Sequence, residues 1–190
     1  MTDTPLVSNV LSVYNNASAD NIREGLSWYL DANNFARTLG EIHDVRISTA
    51  AGVLAALSPR LEWGTNKRQA AKVFATGTAD GCGLKGNCRK ADRILAGEDP
   101  LDVLGGNKVR AFYSTILDPH GYSWPVIDRH AFDIAVGEIT DDKRRGALGR
   151  KGVYAEFADI YIDAAKVAGV SSSQMQAITW VAWREMKGGN

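Results

Sequence analysis

The sequence predicts an all-α protein, a compact bundle of about eight to ten helices joined by short connections. Three observations predict it. Apolar residues recur at three- and four-residue steps through most of the 190-residue chain. Glycines and prolines fall where those stretches end. Alternating apolar and polar runs of strand length, bounded by turn residues, are missing.

Each element follows from its own signals. Ser18 is placed to cap a helix whose apolar positions are Ile22, Leu26, Tyr29, Leu30 and Phe35. Ser48 stands before TAAGVLAAL, a second helix that Pro59 cannot continue because proline lacks an amide hydrogen and clashes with the preceding turn. NKRQAAKVFATG and GNCRKADRILAG read as helices ending at Gly77 and Gly97, the residue type that turns left-handed after a helix without steric cost. A short helix begins at Pro100, and helices follow over 108–117, 128–136, 153–168 and 173–186. Ser171 and Gln174 stand at capping-box spacing before the last of these. The charged, glycine-containing segment Glu138 to Gly152 is expected to be a mobile loop.

Composition bounds the function classes. With 22 Lys+Arg against 22 Asp+Glu the formal net charge is zero, which excludes a polybasic protein held to nucleic acid by bulk charge. A content of 45% hydrophobic and 23% charged residues places the chain among globular proteins and outside the disordered and disulfide-scaffold classes. A typical domain has about 150 residues, so one domain over 1–190 is expected, with the chemistry-bearing motifs between residues 50 and 137. The first residues, MTDTPLVSNVLSVYNN, have no basic start followed by a secretory apolar run, and no later stretch approaches the ~18 apolar residues of a membrane span. A soluble, cytoplasmic protein without membrane partners is expected. Cys82 and Cys88 are too few for a four-thiolate cluster and have no nearby histidine, so they read as free structural thiols, and no metal or cofactor is expected.

Three segments carry possible chemistry. In Leu104-Gly105-Gly106-Asn107-Lys108-Val109-Arg110, two glycines at a helix–helix joint leave amide N–H groups free to face an anion, and Lys108 and Arg110 add charge beside them. The same residues also make a plain αα-hairpin turn. In Trp124-Pro125-Val126-Ile127-Asp128-Arg129-His130, an aromatic and apolar run delivers a carboxylate to the first turn of a helix, followed by a cation and an imidazole. Asp128 then either caps the helix or opposes positive charge developing on a sugar. In Leu57-Ser58-Pro59-Arg60 and the following Glu62-Trp63-Gly64-Thr65-Asn66-Lys67-Arg68, a helix stops and an arginine and a tryptophan precede two cations. Such side chains suit the gap left by an extruded base, or an exposed loop with a core tryptophan.

The order of these segments resembles the helix–hairpin–helix DNA glycosylase (HhH-GPD) superfamily over roughly Ala50 to Gly137. The resemblance implies a glycosylase-like fold, duplex DNA as partner and chemistry on a flipped base. It implies a DNA-backbone contact at Gly106, which falls on the first hairpin glycine, with Arg60 at the intercalating position; Gly105, Asn107, Lys108, Arg110, Arg129 and Lys67 are the further candidate DNA contacts. Asp128 falls on the catalytic aspartate. His130 either orients a substrate oxygen or is a structural histidine in the helix's first turn, and Trp63, Tyr122 and Trp124 are candidate walls for the base, with a core position the alternative for the tryptophans.

Two departures qualify the match. Lys108 stands where the hairpin's second glycine belongs, and Arg110 occupies the position of the Schiff-base lysine of bifunctional members. A guanidinium stays protonated and is no such nucleophile, so a monofunctional activity is implied unless Lys108 takes that role. Two further readings stand beside a glycosylase. A divergent branch of the same fold resembles transferases or pyrophosphorylases acting on hypermodified thymine in phage DNA, for which Asp128 would deprotonate an incoming amine. The third is a non-catalytic DNA- or protein-binding relic of the fold. The expected setting is a bacterial or phage-infected cell.

The zero net charge is unevenly spread. Residues 60–110 carry ten basic and six acidic side chains, whereas 1–59 carry three and six and 111–190 carry nine and ten. The positive excess therefore sits on the stretch with the candidate wedge and hairpin, which implies a small, local DNA footprint.

Overall fold

The computed structural model describes residues 4–188, and the regular elements of the described residues are all helical, with no strand. They form eleven α-helices: α1 (Val7–Asn15), α2 (Ala19–His43), α3 (Ile47–Leu57), α4 (Trp63–Thr76), α5 (Lys85–Leu95), α6 (Pro100–Val103), α7 (Asn107–Leu117), α8 (Arg129–Val136), α9 (Asp142–Arg145), α10 (Val153–Ala168) and α11 (Ser172–Met186). None is long and apolar enough to cross a membrane. The chain makes two compact units. One comprises the described residues up to Tyr29 and those from His120 onward, the other Leu30–Pro119.

In the unit Leu30–Pro119, α3 is the central element. Every residue from Thr49 to Leu57 is buried, as expected of a helix apolar on all faces, and α4, α5, α6 and α7 pack around it. Polar groups in this core are tied to helix ends. Asn33 donates to the carbonyls of Ile116 (2.7 Å) and Leu117 (3.2 Å), satisfying the last turn of α7, and Asn66 donates to Leu54 O at 3.1 Å. Cys82 and Cys88 are free and buried here, and burial raises the Cys82 thiol above its ordinary value.

In the other unit, α1, α8, α10 and α11 share a core in which Phe132 stacks on Phe157 at 4.6 Å and the Tyr161 hydroxyl donates to Ala131 O at 3.1 Å. Gly25 is required for close packing. A Cβ there would lie 2.4 Å from Ile178 Cα, so only glycine lets the first half of α2 lie against α11. The segment after α8 holds α9 and a 3-10 turn, Gly146–Gly149. It is fastened through Asp133, which is buried and accepts from Thr140 Oγ1 (2.6 Å) and from Arg145 Nε (3.1 Å) and Nη2 (2.6 Å).

Several helix ends differ from expectation. Helix α3 starts before Ser48, which lies within it, and Arg46 is the N-cap without a side-chain bond. Helix α4 begins at Trp63 because the Glu62 carboxylate accepts from the amides of Gly64 (3.2 Å) and Thr65 (3.3 Å). In α2, Leu26 and Leu30 are exposed although the periodicity assigned them to the apolar face. Helix α1 and α9 have no counterpart among the expected elements. The Ser18 and Ser171 caps form as expected: Ser18 Oγ accepts from Asn21 N at 3.1 Å, and the Ser171–Gln174 capping box is complete.

Candidate functional site

The segment before α8 has no regular secondary structure and is tied by two hydroxyls, one of which is Ser172 Oγ donating to Ser123 O at 2.5 Å. Tyr154, on α10, accepts from Ile127 N at 3.0 Å and donates to Pro125 O at 3.1 Å. Burial raises this phenol well above its ordinary pKa, so the hydroxyl keeps its proton and can donate. Pro125, Val126 and Ile127 are buried, while Trp124 lies parallel to the Tyr154 ring at 6.3 Å and stays 39% exposed. Tyr122 is half-buried beside this segment.

The chain then delivers Asp128 to the N-cap of α8. Its Oδ1 accepts from the amides of His130 and Ala131, both at 2.9 Å, satisfying two groups that the helix leaves open. Its Oδ2 accepts from Trp180 Nε1, on α11, at 3.2 Å. The carboxylate is half-buried. Burial and then the nearby Asp128 carboxylate raise the Tyr29 phenol, and Asp128 adds to the rises at Tyr154 and Tyr161. Tyr29 donates to Gln176 Oε1 at 2.7 Å.

His130 is half-buried, and burial lowers its imidazole below the ordinary value. Asp128 opposes that shift, the cations of Arg129 and Arg184 assist it, and Asp133 opposes it weakly. Arg129 Nε donates to His130 Nε2 at 3.2 Å, which assigns the imidazole proton to Nδ1. The Trp180 ring meets His130 edge-on at 6.4 Å and Trp28 edge-on at 5.9 Å, and the Arg184 guanidinium covers it at 4.4 Å. Carboxylate, imidazole, two guanidiniums and an indole therefore meet in one place.

The unit Leu30–Pro119 holds the other candidates. Ser58-Pro59-Arg60-Leu61 forms a turn closed by Leu61 N to Ser58 O at 3.1 Å, and Arg60, exposed, sits at φ +65°. Glycine or asparagine is the usual residue there, and a non-glycine residue costs on the order of 1 kcal/mol. Trp63 is wedged edge-on between Phe35 (6.4 Å) and Phe112 (6.2 Å), with Lys67 Nζ over its ring at 5.6 Å. Its surroundings are those of a core aromatic with a cation lid.

At the joint between α6 and α7, Gly106 is the N-cap at φ +78° with no side-chain cap bond, and a Cβ there would meet nothing within 4 Å. Gly105, Gly106 and Asn107 are exposed and Lys108 is half-buried. Arg110 Nε donates to Leu104 O at 2.8 Å, bracing the turn from behind. Among the described residues no three or more His, Cys, Asp or Glu gather as a metal site.

Trp180, Arg184, Trp28 and Tyr154 escaped the sequence reading, and Tyr29 was read there only as an apolar helix position. The four-residue steps Gln176, Trp180 and Arg184 place those three side chains along one face of α11. That line was legible, but its partner Asp128 lies 52 positions away in the chain. A family model described as "Family of unknown function (DUF7178)" matches residues 1–187. Neither a curated protein nor a solved structure matches the chain.

Proposed function

The chain belongs to DUF7178, and we propose that it is a DNA-binding enzyme resembling a monofunctional DNA glycosylase, acting on a base flipped from duplex DNA inside the cell. The observation that carries this reading is the Asp128 carboxylate: one oxygen is committed to the helix cap, while the other meets a single neutral indole donor at 3.2 Å. A carboxylate held this way keeps its direction. It opposes the cation that develops at the sugar C1′ as the bond to the base breaks and its electron pair leaves with the base. Water then adds at C1′, and its proton passes to Asp128 or to the departing base. His130, neutral at pH 7 and carrying its proton on Nδ1, is suited to donate to a substrate oxygen.

The hairpin supplies sequence-independent contacts in this reading. Gly105 and Gly106 expose amides at the start of α7 beside Lys108 and Arg110, suited to a DNA phosphate. The strained conformation of Arg60 suits a side chain held out for the duplex. A second reading, DNA binding without chemistry, is favoured by one observation: both Asp128 oxygens already accept hydrogen bonds.

Duplexes carrying uracil, 5-hydroxymethyluracil, oxidised guanine or alkylated adenine, cleaved with alkali after incubation, separate the two. The proposal expects abasic sites from at least one. Retarded DNA with no abasic sites on any duplex supports binding alone.

A further inference from the structure

Among the described residues, the side chain that donates to Oδ2 of Asp128 is a tryptophan, and its chemistry is specific. An indole has a single N–H, donates along one direction and carries no charge. An arginine or lysine there would also hold Oδ2, but would neutralise the carboxylate. Asp128 Oδ1 is already bound by two helix amides at 2.9 Å, so the bond from Trp180 fixes the remaining rotation of the carboxylate about its Cβ–Cγ bond. Trp180 is itself immobilised. Arg184 covers one face at 4.4 Å, Trp28 and His130 abut it edge-on at 5.9 and 6.4 Å, and α11 is anchored at its N-terminus by the Ser171 capping box.

We propose that Trp180 is a positioning residue for Asp128: its indole N–H sets the carboxylate's orientation and leaves its charge intact. This rests on the reading of Asp128 as the group that opposes charge at the sugar. Helix capping alone needs only Oδ1. Holding Oδ2 with a neutral donor serves a carboxylate whose second oxygen has a task.

Trp180→Phe tests this in the full chain, because phenylalanine keeps an aromatic ring for Arg184, Trp28 and His130 and removes only the donor. The first readout is the indole 1H–15N resonance that Trp180→Phe deletes. In the Asp128→Asn variant of the otherwise unchanged chain, that resonance is expected to move while the other four indoles stay in place. An unmoved resonance overturns the pairing, whatever the protein's activity.

The second readout is base release under single turnover. Trp180→Phe is expected to slow it about tenfold or more, the loss of a hydrogen bond to a charged group, with DNA affinity and Tm close to wild type. Wild-type release rates in Trp180→Phe overturn the positioning role, and so does a loss that follows Tm alone. If the wild type releases no base, the glycosylase reading fails, and the resonance still decides whether Trp180 orients Asp128.

Discussion

At the scale of single residues, the site is an arrangement of charge states. Asp128 is bound through both oxygens, and Tyr29 and Tyr154 are kept protonated by burial. His130 is kept neutral chiefly by burial. Its folded pKa lies below the unfolded value of about 6.5, so the unfolded chain takes up the proton first as the solution is acidified. The stability that a neutral His130 permits is therefore complete above pH 6.5 and is lost as pH falls from there through the lowered folded value. Chemical denaturation between pH 7.5 and 5 is expected to show stability falling in the wild type and a shallower fall in His130→Gln. An identical slope in both would remove His130 from the account of the pH response.

Residue identity was legible here because Asp128, Arg129 and His130 are adjacent in the chain. Trp180 and Arg184 were not. An indole that answers a carboxylate on another helix leaves no mark in local spacing, and a tryptophan in an apolar stretch reads as core.

At the scale of elements, legibility followed how local the physics is. The Ser18 and Ser171 caps and the left-handed Gly77 depend on residues within one turn, and each formed where the sequence put it. The start of α4 did not, because a glutamate, an unusual N-cap, begins the helix at Trp63, three residues before Asn66 where the sequence placed its start. The segment after α8 shows the same limit. Its charges and glycines suggested a loop, yet Asp133 gathers Thr140 and Arg145 and folds it into α9 and a 3-10 turn.

That anchor carries an energetic cost if broken. Asp133 is 3% exposed at its side chain and Arg145 18%, so Arg145→Met leaves a buried carboxylate with only Thr140 as partner. A loss of about 2–4 kcal/mol in unfolding free energy is expected by urea denaturation, less than for a bare buried charge because the Thr140 amide and hydroxyl remain. A loss under about 0.5 kcal/mol would place the pair among inconsequential surface contacts.

At the scale of the whole molecule, the balanced charge leaves room only for local contacts in the proposed DNA binding. The basic excess of residues 60–110 falls in the unit that holds Arg60, Lys67 and the glycine hairpin, and the carboxylate site is built in the other. Fold class was legible because helical periodicity recurs along the whole chain. The pairing of distant helices around Asp128 was not, since it depends on α8 and α11 packing together.

The most direct measurement compares wild type with Asp128→Asn on the duplex from which base is released. Asparagine preserves an oxygen for the helix cap and removes the charge. Release slowed at least a hundredfold, with DNA affinity retained, is the predicted result, because the carboxylate's charge is the proposed source of stabilisation. Equal release by the two proteins would contradict it and leave Asp128 a helix cap alone.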